Sequence, residues 1–156
     1  MDEIIVRAAT LNDLDTLLRF EQGIINAERP FDDTIKDDPV YYYHLEEMIT
    51  APHIQLVVAE LNNVLIGSGY ARMEKAKHFA RHERHAFLGF MYTDPAHRGK
   101  GVNMKIMDAL KDWAAKHALT EFRLEVYANN TSAIKAYEKA GFKSDILEMR
   151  MNISGH

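Results

Sequence analysis

A mixed α/β fold is what this sequence of 156 residues predicts: a mostly antiparallel sheet of about six or seven strands flanked by about four helices. Three observations point there. Apolar runs with strand alternation fill the middle of the chain, two of them joined by Asn62-Asn63, a tight hairpin dipeptide. Two stretches, opening near Val102 and Asn130, carry apolar residues at helical spacing, and each follows a strand-like run. The length suits one domain, residues 1–156, with a sizeable core, and no repeat, low-complexity tract or linker divides it.

Ile4 to Arg7 reads as the first strand. Thr10-x-x-Asp13 has the form of a capping box with Asp in place of Glu, and Leu14, Leu17, Leu18 and Ile25 mark the amphipathic helix behind it. Residues 28–38 lack apolar periodicity and read as a loop. Asp38-Pro39 reads as an N-cap with proline at N1, opening a helix through Tyr41-Tyr42-Tyr43 to about Ile49. Ile54 to Leu61 and Val64 to Met73 are the hairpin strands, and residues 74–83 the polar connection to the next. Ala86 to Thr93 is the fourth strand; Gly89 within it signals a bulge or a close backbone approach. Val102, Ile106, Ala109, Leu110 and Trp113 form the buried stripe of a third helix. Glu121 to Tyr127 is the fifth strand. Asn129 or Asn130 caps a fourth helix, whose Ala133, Ala136, Tyr137 and Ala140 share a face and which Gly141 ends as a C′ glycine. Lys143 to Ile153 reads as two short final strands.

Composition narrows the function. Hydrophobic content of 47% and charged content of 27% are those of an ordinary globular protein, and a net charge of −4 argues against nucleic acid. The absence of cysteine excludes disulfides, thiolate metal sites and a cysteine nucleophile, and it fits a cytoplasmic location. The opening Met1 to Arg7 lacks the pattern of a signal peptide, and no apolar run is long enough to span a membrane. His78, His82 and His85 would share a face only in a helix, which the local pattern does not support, so no metal is expected. The basic run from Arg72 to Arg84 is interrupted by Glu74 and Glu83 and reads as an exposed hairpin face.

Residues 93–103, Thr-Asp-Pro-Ala-His-Arg-Gly-Lys-Gly-Val-Asn, place two glycines and two cations where a strand ends and a helix begins. Free backbone N–H groups and the positive end of the helix dipole converge there, which suits a phosphate or pyrophosphate. The segment is neither a nucleotide P-loop, for which the Gly-x4-Gly-Lys-[Ser/Thr] spacing is missing, nor a dinucleotide fingerprint, since no third glycine follows Gly101.

Arg98-Gly-Lys-Gly101-Val-Asn103 matches [Gln/Arg]-x-x-Gly-x-[Gly/Ala], with Asn103 departing at the last position. Further on, Asn130, Ala133, Tyr137, Gly141 and Phe142 match Asn-x2-Ala-x3-Tyr-x3-Gly-Phe in full. With both motifs in this order, the chain resembles the GCN5-related N-acetyltransferase superfamily over roughly residues 54–152.

That resemblance implies a sheet splayed between its fourth and fifth strands and direct transfer of an acetyl group from acetyl-CoA to a primary amine. It implies backbone amides of Met91, Tyr92 and Thr93 for the pantetheine arm and the oxyanion, and Arg98, Gly99, Lys100, Gly101, Val102 and Asn103 for the pyrophosphate. Asn130 orders the cofactor arm, caps the fourth helix, or does both. Tyr137 corresponds to the acid that faces the CoA sulfur. Glu125 is the candidate base, as in some protein N-terminal acetyltransferases; Glu83, His85 and a water relay are alternatives. The acceptor pocket draws on Glu28, Tyr42 and His85, and the acidic excess of residues 28–38 suits a small cationic amine or a basic peptide end. The family also implies a homodimer. A non-catalytic acyl-CoA-binding sensor and transfer of a longer acyl group remain as alternatives.

Overall fold

The structure, a computed structural model, describes residues 3–154; residues 1–2 and 155–156, the ends of the expected 1–156 domain, lie outside the described residues. The chain divides into two compact units, Met1–Glu125 and Val126–His156. In the first, β1 (Ile5–Ala8), β2 (Ile54–Leu61), β3 (Val64–Lys75), β4 (Arg84–Thr93) and β5 (Phe122–Arg123) form a sheet in that order. β1 to β4 run as an antiparallel meander. β5 pairs parallel to β4, because the crossover between them carries helix α3 (Val102–Lys116).

Helices cover both faces of the sheet. Leu17, Phe20 and Ile24 of α1 (Leu14–Glu28), with Leu45 and Met48 of α2 (Leu45–Thr50), pack on Leu56, Val58, Tyr70 and Phe90. The alternate residues of β3 face α3, whose Ile106 comes against Gly67 and Gly69. Ile106, Met107 and Leu110 are wholly buried; each such side chain contributes roughly 1.5–3 kcal/mol, so Leu110→Ala would cost about 2–5 kcal/mol. Of the stripe expected on α3, Val102, Ile106 and Leu110 are buried, joined by Met107 and Ala114, while Ala109 and Trp113 are half-buried. On α1, Leu18 is exposed.

Local chemistry fixes the entries and turns. Asp13 reaches back to the Thr10 N–H at 2.8 Å, and the same carboxylate takes a two-pronged contact from Arg7 at 2.9 and 3.0 Å. Asn62 and Asn63 have φ of 53° and 66°, the two left-handed residues a type I′ hairpin needs.

Three expectations are corrected. The second helix begins at Leu45, not at Pro39, because the main chain of 40–43 is tied to α1. Gln22 donates to the Val40 carbonyl at 2.9 Å, and the Tyr42 and Tyr43 N–H groups donate to Glu21 at 2.9 and 2.8 Å instead of entering a helix. β5 is short, since its ladder with β4 stops after Phe87 and Arg123. No strand forms at 143–153, so the sheet has five strands among the described residues, not six or seven. A strand needs a hydrogen-bonded neighbour, and no strand is assigned to any described residue of the second unit.

The second unit carries α4 (Thr131–Lys139). Asn130 caps it, its side chain accepting from the Ala133 N–H at 3.3 Å. At the other end Gly141 takes φ 109°, the Phe142 N–H bonds the Tyr137 carbonyl, and the Gly141 N–H bonds the Glu138 carbonyl, both at 3.0 Å. This is a complete Schellman motif, and its apolar contact is the Tyr137 ring against Phe142, centroids 5.9 Å apart.

Candidate active site

The first part of the site is a distortion of β4. Tyr70 faces Gly89 and Ser68 faces Tyr92, so Phe90 and Met91 together stand opposite Gly69 as a bulge. Phe90 takes the left-handed φ of 55°. Its carbonyl accepts from the buried Ser68 hydroxyl at 3.0 Å, and its main chain also hydrogen-bonds Tyr43. Gly89 itself serves a close approach: a Cβ there would lie 2.4 Å from the Tyr70 hydroxyl. Past Phe87 no ladder joins β4 to β5 among the described residues, which is the expected splay. Met91, Tyr92 and Thr93 therefore sit on a stretch of β4 with no strand bonded on the β5 side.

β4 runs directly into the anion-binding turn. Asp94 accepts from the Ala96 N–H at 2.9 Å and shapes the turn Pro95–His97. Gly99 and Gly101 then take φ of 80° and 79°, which side chains disfavour by roughly 1–2 kcal/mol each. The first helical bond of α3 runs from the Lys105 N–H to the Gly101 carbonyl at 3.1 Å. The N–H groups of Val102, Asn103 and Met104 thus precede the helical ladder and face outward. Thr93, Arg98, Gly99, Gly101, Val102 and Asn103 line one depression. Lys100 is exposed and does not line it. His97 does; its Nδ1 is buried without a hydrogen-bond partner, 3.8 Å from Asp94. His97 closes that turn directly before Arg98, and an imidazole at this place, flanking the two glycines, is its sign in the sequence.

The α1 side of the sheet carries the acceptor candidates. The Tyr42 hydroxyl donates to Glu28, which is half-buried. Burial pushes the Glu28 carboxyl above the usual range, the Tyr42 bond pulls it down, and the nearby Asp32 charge adds to the rise. Much of the acidic loop is satisfied internally: Arg29 bonds Asp38 at 2.9 Å and the Lys36 carbonyl at 2.8 Å, and Asp32 accepts from the Thr34 N–H. Tyr43 stands beside Glu28, its ring 5.1 Å from Phe90 and 6.0 Å from Tyr70; burial raises its hydroxyl pKa far above the ordinary value.

Cross-strand register sets out the neighbouring face. Tyr70, Arg72 and Glu74 of β3 stand opposite Gly89, Phe87 and His85 of β4. Arg72 lies over the Tyr70 and Phe87 rings at 5.5 and 5.3 Å and bonds Glu74 at 2.7 Å. Arg123 pairs with Phe87 at the end of the β4–β5 ladder, and Glu125 follows two residues on, past the last paired residue. Burial raises the Tyr70 hydroxyl pKa, the Arg72 charge opposes the rise, and the charges of Glu74 and Glu125 add to it, so Glu125 acts electrostatically on the Tyr70 hydroxyl. His85 belongs to a different group: it bonds His82 at 3.2 Å and lies 3.5 Å from Glu74. Burial and the Arg123 charge hold it below the usual imidazole range. It lies five residues along β4 from Phe90, about 17 Å, and its named neighbours are His82, Glu74 and Arg123. Asn130 and Tyr137 lie in the second unit, at the two ends of α4.

The profile described as Acetyltransferase (GNAT) family matches residues 21–142, most of the chain and both motif segments. The chain belongs to the GNAT acetyltransferase family. Among curated proteins it is 44% identical over 57 residues to a streptothricin acetyltransferase of Escherichia coli, a match spanning 36% of this chain and 33% of that one; it thus covers about a third of that relative's length. Solved structures share the fold. The predicted acetyltransferase of Clostridium acetobutylicum with acetyl-CoA aligns with TM-score 0.71 at 18% identity, covering 99% of each chain. The aminoglycoside N-acetyltransferase AAC(6')-Iy in complex with CoA aligns with TM-score 0.74 at 19% identity, covering 97% of this chain and 95% of that one. As a GNAT protein, the chain has its bulge, splay and glycine turn on consecutive pieces of one strand and one helix. Among the described residues no group of His, Cys, Asp and Glu is arranged for a metal, and no helix is long and apolar enough to cross a membrane.

Proposed function

We propose that this chain transfers an acetyl group from acetyl-CoA directly to a primary amine on a small cationic molecule. The observation that carries the reading is the path of β4: it bulges at Phe90, leaves β5, and runs into the left-handed turn Gly99–Gly101 at the start of α3. On this reading the amides of Val102–Met104, with Arg98, hold the pyrophosphate, Asn103 adding a side-chain amide; Lys100, outside the depression, is left out of the set. The amides of Met91–Thr93 receive the pantetheine arm and the thioester oxygen as it gains charge. The amine nitrogen attacks the thioester carbonyl, the new N–C bond forms and the C–S bond breaks. The proton lost from nitrogen passes to Glu125, and the departing thiolate takes a proton from Tyr137. Glu28 with Tyr42 offers a carboxylate and an aromatic wall to a second, cationic group of the acceptor. The streptothricin and aminoglycoside acetyltransferases among its relatives support an acceptor of that kind. A single domain over 1–156, a cytoplasmic location and a homodimer belong to the same reading.

The test is product analysis by mass spectrometry after incubation with acetyl-CoA and streptothricin, neamine-type aminoglycosides, polyamines, basic peptides and neutral amino sugars. Acetylation of the small cationic amines supports the reading. Products confined to neutral amines refute the proposed acceptor class, and acetyl-CoA binding without any product points to a sensor.

A further inference from the structure

One wholly buried charged residue takes no part in the chemistry above. Glu21 lies on α1 in line with Leu17 and Ile25 and is 0% exposed. Its Oε2 accepts from the Tyr42 and Tyr43 N–H groups at 2.9 and 2.8 Å, while its Oε1 is buried with no hydrogen-bond partner. A half-satisfied carboxylate inside a core is a loss in stability beside an apolar side chain of equal size. What it supplies, and leucine could not, is one fixed point for two consecutive amides. The second of those amides belongs to Tyr43, whose ring packs on Phe90 and whose hydroxyl is bonded to the Phe90 main chain. Phe90 holds a backbone conformation that non-glycine residues keep only when their surroundings enforce it. Ser68 holds its carbonyl, and Tyr43 makes the second contact.

We infer that Glu21 and Tyr43 act as positioning residues, a brace from α1 that sets the Phe90 bulge and through it the amides of Met91–Thr93 that meet the thioester carbonyl. The inference rests on the acetyl-transfer reading, so its test must let the two fail separately.

Tyr43→Phe keeps the ring and removes the bond to Phe90. Two readouts are used: calorimetric affinity for CoA and for acetyl-CoA, and kcat for thiol release with the amine panel. The brace predicts a CoA affinity within roughly two-fold of wild type, an acetyl-CoA affinity weakened more than that for CoA, and a kcat lowered about ten-fold or more. Glu21→Gln, which keeps an oxygen for both amides, should stay near wild type, and Glu21→Leu should behave like Tyr43→Phe. If Glu21→Leu does not fold, Ser68→Ala, which removes the other hold on Phe90, takes its place. A folded Tyr43→Phe protein with unchanged kcat and acetyl-CoA affinity overturns the brace and leaves the acetyl-transfer reading intact. Equal losses of CoA and acetyl-CoA affinity would show a merely structural role and also overturn it. A wild-type protein that binds neither thioester nor CoA overturns both.

Discussion

Replacing Tyr137 by phenylalanine separates a structural tyrosine from a catalytic one. The Schellman bonds that end α4 are made by main chain alone, and the apolar contact that accompanies them is between rings, Tyr137 on Phe142. Phenylalanine keeps both. What goes is one hydroxyl, whose loss costs about 1 kcal/mol of stability, or roughly 2–4 °C in Tm for a chain of this size. If that hydroxyl protonates the departing thiolate, kcat falls by about 10²–10⁴, equivalent to roughly 3–5 kcal/mol of transition-state stabilisation. The chemical effect thus exceeds the structural one several-fold. Steady-state thiol release at saturating amine, with acetyl-CoA varied, measures it: kcat should drop while KM for acetyl-CoA moves little. Tyr137→Ala should lower Tm further, because it also loses the ring contact. A Tyr137→Phe enzyme with kcat within about two-fold of wild type would remove the residue from the mechanism and leave it as the helix-end contact.

Gly89→Ala should cost about 1–3 kcal/mol by overpacking, seen as a lower denaturation midpoint, because its Cβ would meet the Tyr70 hydroxyl and ring at 2.4 and 2.5 Å; Tyr70→Leu in the same chain should relieve most of that cost, and additive losses would contradict it. Glu28 titrates above the ordinary glutamate range through burial, so the carboxylate that holds a cation is lost earlier as pH falls. Acceptor KM should rise toward acid in wild type and stay flat, at the high value, in Glu28→Gln. Arg7 holds Asp13 below its unfolded 3.8, so this pair stabilises the fold above that pH and the contribution disappears as pH falls through the folded value. Asp13→Asn should lower stability near neutrality by about 1–3 kcal/mol and flatten the acid limb of a melt-versus-pH series.

What the sequence revealed, and what it hid, follows from the range of the interactions. The Asn62-Asn63 turn, the Asp13 cap, the Asn130 cap and the Gly141 terminus are decided by residues within a few positions of one another, and each stands where local chemistry placed it. The glycine turn at 99–101 was legible for the same reason, since left-handed φ is a demand that glycine meets. The second helix was misplaced because its start is set by Glu21, some twenty residues upstream. A carboxylate in line with Leu17 and Ile25 was nonetheless a visible sign of a buried polar partner. Gly89 announced an irregularity, but the strained residue is its neighbour Phe90, and only Tyr70 across the ladder explains the glycine. The grouping of His85 with His82 and Glu74 likewise depends on cross-strand register.

Amine-dependent release of free thiol from acetyl-CoA is the direct test of acetyl transfer to a cationic amine by this GNAT chain. The chain has no cysteine, so its own thiols add nothing to the signal. Release should saturate with both acetyl-CoA and a small cationic amine and stay near background without the amine. Tight acetyl-CoA binding with no amine-dependent release across streptothricin, aminoglycosides and polyamines would contradict it.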